Sequence, residues 1–282
     1  MNLLFFYNPK AGATYNASLH QEIADILGDN HTANFIHIDD LGKVDKEVPY
    51  DVVIAIGGDG TVNSVAECCC THNKPMAIIP RGSGDGLARH LKLPRDLNKA
   101  LDVVLSGNIT KIDTALLNDH FFVNVAGSGF EAIVAHEFGK GTRGLKGYIK
   151  AIRKHYRSYQ EQEITLKTDR EEIKTKYFSL SIANGSQWGN NFEIASSASM
   201  TDGVLEIAIM DKPKWFQIPR LLAYLNGSQQ KDLSFIHYHK ASSLEILNQE
   251  EHWHLDGEPL LMSKDVNLKM QAQSLQVLTA HG

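Results

Sequence analysis

The stretch IAIGGDGTVNSVAE, Ile54 to Glu67, constrains the fold more than any other part of the chain. An apolar strand runs into Gly57-Gly58-Asp59-Gly60-Thr61, and a helical pattern follows. Glycines at a strand-to-helix corner leave backbone N–H groups uncovered and let a ligand approach closely. A helix starting behind them adds the positive end of its dipole, so the corner suits phosphate. It is neither a Walker A loop nor a GxGxxG fingerprint. A plain tight turn needs one glycine, not three with an acid. Asp59 narrows the reading further, because a carboxylate beside a phosphate nest is repulsive unless Mg²⁺ or a substrate hydroxyl lies between them.

Such a corner belongs to α/β architecture. Strands are expected at Leu3–Tyr7, Ala33–Ile38, Tyr50–Ile56 and Met76–Ile79, with helices at Ser18–Leu27, Val62–Cys70 and Leu97–Leu105. The alternation predicts an open, largely parallel sheet. Beyond residue 108 the pattern changes. Strands are expected at Ile109–Leu117, Phe121–Val125, Glu163–Thr168, Tyr177–Ala183, Val204–Met210, Ser243–Leu247 and Val266–Met270, with helices at Leu145–Tyr156 and Pro213–Leu225. Period-two alternation suits antiparallel sheets with one wet face. Asn118-Asp119 reads as a hairpin corner. The predicted organisation is an α/β domain over 1–108 and a β-rich domain over 109–270, with 271–282 returning to the first and an active site between the two.

A net charge of −5 argues against a general nucleic-acid binder. No apolar run approaches the ~18 residues of a membrane span. The start, MNLLFFYNPK, lacks the basic flank of a signal peptide and reads as a strand. These features predict a cytoplasmic protein that can touch the inner face of a membrane. Cys68, Cys69 and Cys70 are consecutive and point different ways on a helix, which predicts reduced, mostly buried thiols.

Two more glycine-rich loops follow strands: Asn8-Pro9-Lys10-Ala11-Gly12 and Pro80-Arg81-Gly82-Ser83-Gly84-Asp85-Gly86. All three can line one crevice at the carboxyl ends of strands. In the second half, HLDGEPL would put His254, Asp256 and Glu258 on one strand face. Two carboxylates so close can divide into one that organises and one that accepts a proton. Asp202 in SMTDGVLEI sits at an Asp-Gly turn, which is common without any metal. The two HxH pairs, His237/His239 and His252/His254, carry no metal assignment. Gly127-Ser128-Gly129-Phe130-Glu131-Ala132 imitates GxGxxA but lies far from a first βαβ unit.

Taken in order, NPKAG, GGDGTVN, PRGSGDGLAR, VNVAGSGFEAIVAH, ANGSQWGNNFEIASSASMTDGVLEIAI and HLDGEPL resemble the diacylglycerol kinase catalytic-domain family, across nearly the whole chain. That family includes bacterial lipid kinases, sphingosine kinases and ceramide kinase. The resemblance implies an N-terminal α/β domain like those of NAD kinases and phosphofructokinases, and a C-terminal β-sandwich. Leu275–Leu278 would be the returning strand. It implies ATP- and Mg²⁺-dependent transfer of a γ-phosphate to a primary hydroxyl of a membrane lipid alcohol, foremost diacylglycerol. The nucleotide falls to Asn8, Gly57, Gly58, Asp59, Gly60, Thr61, Asn63, Gly82 and Ser83. Glu258 becomes the general base, with Asp256 beside it and Asp59 as rival or co-worker. Mg²⁺ falls to the Asp202 carboxylate and the main-chain carbonyls of Ser199 and Val204.

The sequence departs from the family pattern in two places. Ser64 stands where a glutamate often follows GGDGTxN, with Glu67 one turn later. In GSGDGLA, Asp85 replaces an amide and Gly86 an acid, closer to the sphingosine-kinase form. A sphingoid-base kinase is therefore one alternative. An NAD kinase-type enzyme is another, although no TPTGSTAY-like stretch is found, and a non-catalytic nucleotide- or lipid-binding module is a third. The stretch from Lys140 to Arg157 carries Lys140, Arg143, Lys146, Lys150, Arg153, Lys154 and Arg157 without an acid, around an apolar stripe. It reads first as a helix packed on the β-domain, and its basic face offers a surface for peripheral membrane contact.

Overall fold

The computed structural model describes residues 1–9, 18–43, 50–139, 145–189, 192–225, 233–248, 250–262 and 265–280. The chain divides into two compact units, Met1–Ile112 with Gln273–Gly282, and Asp113–Ala272. In chain order come β1 (Asn2–Tyr7), α1 (Ser18–Leu27), β2 (Thr32–His37), β3 (Val52–Gly57), α2 (Asp59–His72), β4 (Met76–Pro80), α3 (Gly86–His90), α4 (Leu97–Ser106) and β5 (Ile109–Leu117). They are followed by β6 (His120–Phe122), β7 (Val125–Gly129), α5 (Phe130–Gly139), α6 (Leu145–His155), β8 (Gln162–Thr168), β9 (Glu172–Tyr177), β10 (Ser179–Ala183), β11 (Gln187–Gly189) and β12 (Phe192–Glu193). The last are β13 (Leu205–Met210), α7 (Ile218–Leu225), β14 (Ile236–Ala241), β15 (Ser243–Asn248), β16 (His252–Leu255), β17 (Glu258–Leu261) and β18 (Asp265–Leu278).

In the first unit β2, β1, β3 and β4 pair in parallel in that order. The end of β18 joins beside β4, with Val277 opposite Met76. β3 and β4 are buried along their whole lengths, which is why VVIAIG and MAIIP read as unbroken apolar runs. α1 buries Leu19, Ile23 and Leu27, and α4 buries Leu97, Ala100, Leu101 and Val104; these meet Leu3, Phe5, Ile54, Ile56 and Ile79 in one core. Helical spacing thus becomes a face against the sheet.

The second unit is a β-sandwich. One sheet has the order β14-β13-β10-β7-β16-β17, all antiparallel. The other pairs β9, β8, β15 and the first part of β18. Leu180, Ile182, Ile207, Ile209 and Trp253 of the first sheet share a core with Ile164, Leu166, Leu244, Ile246 and Val266 of the second.

Several expected elements are redrawn. The strand expected over Tyr177–Ala183 breaks at Phe178, because β9 pairs with β8 and β10 with β7 and β13. The strand expected over Phe121–Val125 breaks at Val123-Asn124, whose N–H groups bond the Asp256 carboxylate. The helix expected over Pro213–Leu225 becomes a 3₁₀ turn, Trp215–Gln217, followed by α7. Pro219 has no N–H to offer and fits only the first helical turn. α5 has no counterpart among the expected elements. The three cysteines are free thiols, and burial pushes the Cys69 thiol well up.

Candidate active site

The order β2-β1-β3-β4 turns back on itself between β1 and β3. Open α/β sheets bind ligands outside the carboxyl ends of strands at such a switch point. Tyr7 pairs with Ile56, so Asn8 leaves β1 beside Gly57, the last residue of β3. α2 begins at Asp59, three residues ahead of the expected Val62. Its N-cap, Gly58, supplies no side-chain cap, and the helical ladder opens with Val62 N–H donating to Gly58 O at 3.0 Å. The N–H groups of Gly60 and Thr61 therefore precede the ladder, at the positive end of a 14-residue helix.

Glycine is required here by contact. A Cβ on Gly57 would lie 2.6 Å from Thr61 Oγ1, and one on Gly82 would lie 2.5 Å from Gly58 Cα. The two glycine loops thus touch main chain to main chain, and Arg81 N–H donates to Gly57 O at 2.9 Å. Thr61 is buried, and its hydroxyl has no hydrogen-bond partner among the described residues. Asn63 is half-buried on α2 and Ser83 is exposed in the second loop. Of the NPKAG loop only Asn8 and Pro9 lie within the described residues.

The acids of the corner have definite work. Asp59 Oδ1 accepts the Gly86 N–H at 2.6 Å, at the start of α3. Its charge is thus met by a main-chain donor before any metal or hydroxyl is considered. Asp85 is buried, caps α3 from the left-handed region (φ 52°), and accepts the Gly82 N–H at 2.8 Å. Arg95 Nη1 lies 2.8 Å from Asp85 Oδ2, a charge contact without hydrogen-bond alignment. Arg95 Nη2 also donates to Gly82 O, Arg81 Nη1 to Arg95 O and Arg89 Nε to Gly84 O. Burial raises the Asp85 pKa, and Arg95, the Gly82 N–H, Arg89 and Arg81 oppose the rise.

In the second unit, His254, Asp256 and Glu258 do not share a strand face. Asp256 (φ 48°) and Gly257 (φ 87°) form a two-residue turn, and Leu255 pairs with Glu258 across it. Glu258 is exposed on β17. The Asp256 carboxylate accepts the N–H groups of Val123, Asn124 and Val125 at 3.0, 2.8 and 2.9 Å. That side chain positions the hairpin, and its oxygens are committed to main chain.

Asp202 is exposed, and its Oδ1 accepts the Val204 N–H at 3.1 Å. The next N–H, of Gly203, donates to the buried Asp113 carboxylate at 2.8 Å. Asn184 Nδ2 donates to both Asp113 O and Val123 O, at 2.7 and 2.6 Å. A continuous set of bonds therefore ties the Asp202 turn, through Asp113, Asn184 and Val123, to the Asp256 hairpin. One carboxylate with the Ser199 and Val204 carbonyls is an all-oxygen donor set, the chemistry of a water-rich Mg²⁺ site. Among the described residues no group of three or more His, Cys, Asp or Glu could hold a metal.

Asp113, Asn184 and Glu131 escape the sequence reading. Their signal is faint: single polar residues inside apolar strands or beside them. Glu131 is buried in the first turn of α5, where Oε2 accepts Ser179 and Ser181 hydroxyls at 2.8 and 2.7 Å and Oε1 lies 3.1 Å from His254 Nε2. A Cβ on Gly127 would fall 1.6 Å from that Oε1. The GSGFEA stretch thus makes room for its own glutamate, which fills the corner. The other histidines of the HxH pairs each meet a separate acid: His237 with Asp211, His239 with Glu171, His252 with Glu250.

Residues 2–117 match the family described as the diacylglycerol kinase catalytic domain, and residues 124–279 the YegS C-terminal NAD kinase beta sandwich-like domain. The chain belongs to the diacylglycerol kinase family of lipid kinases. Its relatives include a diacylglycerol kinase of Staphylococcus saprophyticus, 26% identical over 242 residues, covering 83% of this chain and 78% of that protein. A "Probable lipid kinase YegS-like" of Chromohalobacter salexigens is 30% identical over 235 residues, 78% of this chain and 73% of the other. A diacylglycerol kinase structure from Bacillus anthracis aligns at TM-score 0.77 and 19% identity over 99% of this chain and 96% of that one, a likeness of fold.

Within this kinase the two departures now have local explanations. The Ser64 hydroxyl donates to Gly60 O at 3.1 Å, back onto its own helix, and Glu67 is exposed. Asp85 in place of an amide comes with Arg95 as a cationic partner. The basic helix α6 and the turn after it pack Ala151, Ile152 and Tyr156 against Phe130 and Phe178, while Lys150, Arg153 and Arg157 are exposed. Lys154 pairs with Glu137 at 2.6 Å. Lys140 and Arg143 lie outside the described residues. No helix among the described residues is long and apolar enough to cross a membrane.

Proposed function

We propose that this kinase transfers the γ-phosphate of ATP, with Mg²⁺, to the primary hydroxyl of a lipid alcohol, foremost diacylglycerol, in the cytoplasm. The observation that carries the reading is the uncapped start of α2 behind Gly57 and Gly58, at the sheet's switch point and pressed against Gly82. It presents N–H groups and a helix dipole without a side-chain cap, as phosphate recognition requires. Asn8, Asn63 and Ser83 add polar groups around that nest, and Thr61 holds a buried hydroxyl at its floor. Asp59 fixes α3 against the nest. Glu258 accepts the proton of the lipid hydroxyl, on a hairpin whose position Asp256 sets. The Asp202 carboxylate and the Ser199 and Val204 carbonyls would hold Mg²⁺, which would neutralise phosphate charge when bound. Positioning and charge compensation account for most of the acceleration in phosphoryl transfer, so no covalent step on the protein is required.

Asp85 and Gly86 in the GSGDG loop, the form closer to sphingosine kinases, motivate one second reading, a sphingoid-base acceptor. A panel of diacylglycerol, sphingosine and ceramide in mixed micelles with γ-labelled ATP separates the two. Labelled diacylglycerol, lost in Asp59→Ala and Glu258→Gln, is the expected result. No label in any lipid, or full activity in both variants, would overturn the proposal; NADP formation from NAD would redirect it to a small-molecule kinase.

A further inference from the structure

The stretch from Lys212 to Leu225, KPKWFQIPRLLAYL, contains Lys212, Lys214 and Arg220 and no acid. It folds as the 3₁₀ turn and α7. Gln217 Oε1 accepts the Lys214 N–H at 2.6 Å and closes the turn. The inner face of α7 is anchored. Leu221 and Tyr224 pack on Ile194, Met210 and Phe235, and the Tyr224 and Tyr238 hydroxyls lie 2.6 Å apart. The outer face is different. Trp215 is 79% exposed, Phe216 59% and Leu222 46%, and Lys214, Pro219 and Arg220 are exposed with them. The two aromatic rings meet edge to face with centroids 6.0 Å apart. Their exposure serves no packing need among the described residues of this unit.

We infer that this aromatic, basic face docks on an anionic membrane surface. The inference rests on the reading that the acceptor is a membrane lipid, and it places the contact on an element other than the basic helix α6. Three observations select a bilayer. Tryptophan beside phenylalanine is the side-chain chemistry of the membrane–water interface, with an apolar body and, for indole, a polar edge. Lys214 and Arg220 flank the rings in a protein whose net charge is −5, so this face is a local positive exception suited to anionic headgroups. Two acids border the stretch and both are partnered: Asp211 meets His237 Nε2 at 3.1 Å, and Glu161 Oε1 accepts the Lys212 N–H at 2.8 Å. The face is also small. Aromatic side chains contribute about 150–250 Å² each, so two of them and a short helix face fall below the roughly 800 Å² per partner of a stable protein interface.

The test uses the full chain and vesicles of phosphatidylcholine alone or mixed with phosphatidylglycerol. Wild type should co-sediment with the mixed vesicles. Trp215→Ala/Phe216→Ala should lower the partition coefficient roughly tenfold or more, and Lys214→Gln/Arg220→Gln should lower it roughly fivefold per charge and remove the dependence on phosphatidylglycerol. Brominated lipid should quench wild-type fluorescence more than that of Trp215→Phe; Trp188 and Trp253 are present in both proteins and cancel in the difference. Equal partitioning of wild type and Trp215→Ala/Phe216→Ala would overturn the inference. So would a wild-type dimer that the double substitution dissolves while vesicle binding stays unchanged. Phosphoryl transfer to a short-chain diacylglycerol dispersed as monomer is measured in parallel. The double variant should retain it; its absence in wild type, with vesicle binding present, would count against the lipid acceptor and leave the docking face standing.

Discussion

Replacing Gly82 with alanine perturbs the corner at its tightest point. The added Cβ would meet Gly58 Cα at 2.5 Å and Asp85 Oδ1 at 2.6 Å. The first obstacle is main chain and has no rotamer by which to withdraw. The second is a buried carboxylate held by the Gly82 N–H and Arg95. Relief requires the two glycine loops to separate by about 1 Å, to ordinary van der Waals distance. Overpacking of this kind costs about 1–3 kcal/mol of stability. A displacement of about 1 Å at a site that works by positioning costs on the order of 100-fold in rate. Gly82→Ala should therefore lose a little stability and most of its kcat/KM, read by urea unfolding and by γ-phosphate transfer. Two other glycines separate the causes. Gly42 has nothing within 4 Å of an added Cβ and no positive φ, so Gly42→Ala should change neither quantity. Gly107 also has open space but lies at φ +71°, so Gly107→Ala should cost about 1 kcal/mol of stability and leave the rate intact. Wild-type kcat/KM in Gly82→Ala, or an equal loss of rate in Gly107→Ala, would refute the claim that contact between the two loops sets the site.

Three further outcomes are expected. Thr61→Val removes a buried hydroxyl with no partner among the described residues; stability should hold within about 1 kcal/mol while KM for ATP rises, measured by initial rates and urea unfolding of the same preparation. Asp85 has a folded-state pKa raised by burial, so its favourable contribution is complete below the unfolded-state pKa and is lost as pH rises through the folded one. Asp85→Asn should be more stable than wild type at neutral pH, with the gap closing on acidification; Arg95, 51% exposed, loses little with its partner. A gap that widens in acid would contradict the assigned direction. Gly127→Ala must displace Glu131 or His254 from their buried contact, at a cost of roughly 3 kcal/mol, visible as a lowered Tm beside a milder Glu131→Gln.

Much of the architecture is legible because burial writes itself into periodicity. β3 and β4 are covered on both faces and read as unbroken apolar runs; α1 and α4 are covered on one and read at helical spacing. The misplaced start of α2 has a specific cause. Gly58 caps the helix without a side chain, so the usual polar N-cap signal is missing and the first turn passes for loop. The hairpin at Asp256-Gly257 was signalled by the dipeptide itself, but carrying period two through it puts Asp256 and Glu258 on a face they do not share. Glu131 is illegible for another reason. Its partners Ser179, Ser181 and His254 are 48, 50 and 123 positions away, so nothing near it in the chain explains a buried acid.

The same reasoning decides how the GSGDG loop should be read. Taken alone, Asp85 in place of an amide looks like a defect: a carboxylate gained where a neutral group would serve. In the folded chain it takes the Gly82 N–H, starts α3 from a left-handed conformation and faces Arg95 ten residues on. Arg95 in turn holds the Gly82 carbonyl, so the cation grips the loop both by charge and through main chain. Position 85 and position 95 therefore form one device. Exchanging the first for an amide without the second releases a burial cost and leaves the Gly82 grip in place, whereas removing Arg95 alone strands a buried carboxylate. Because that loop touches Gly58, the pair bears on where the proposed phosphate nest sits, and the lipid-panel preference of Asp85→Asn should differ from that of Arg95→Gln.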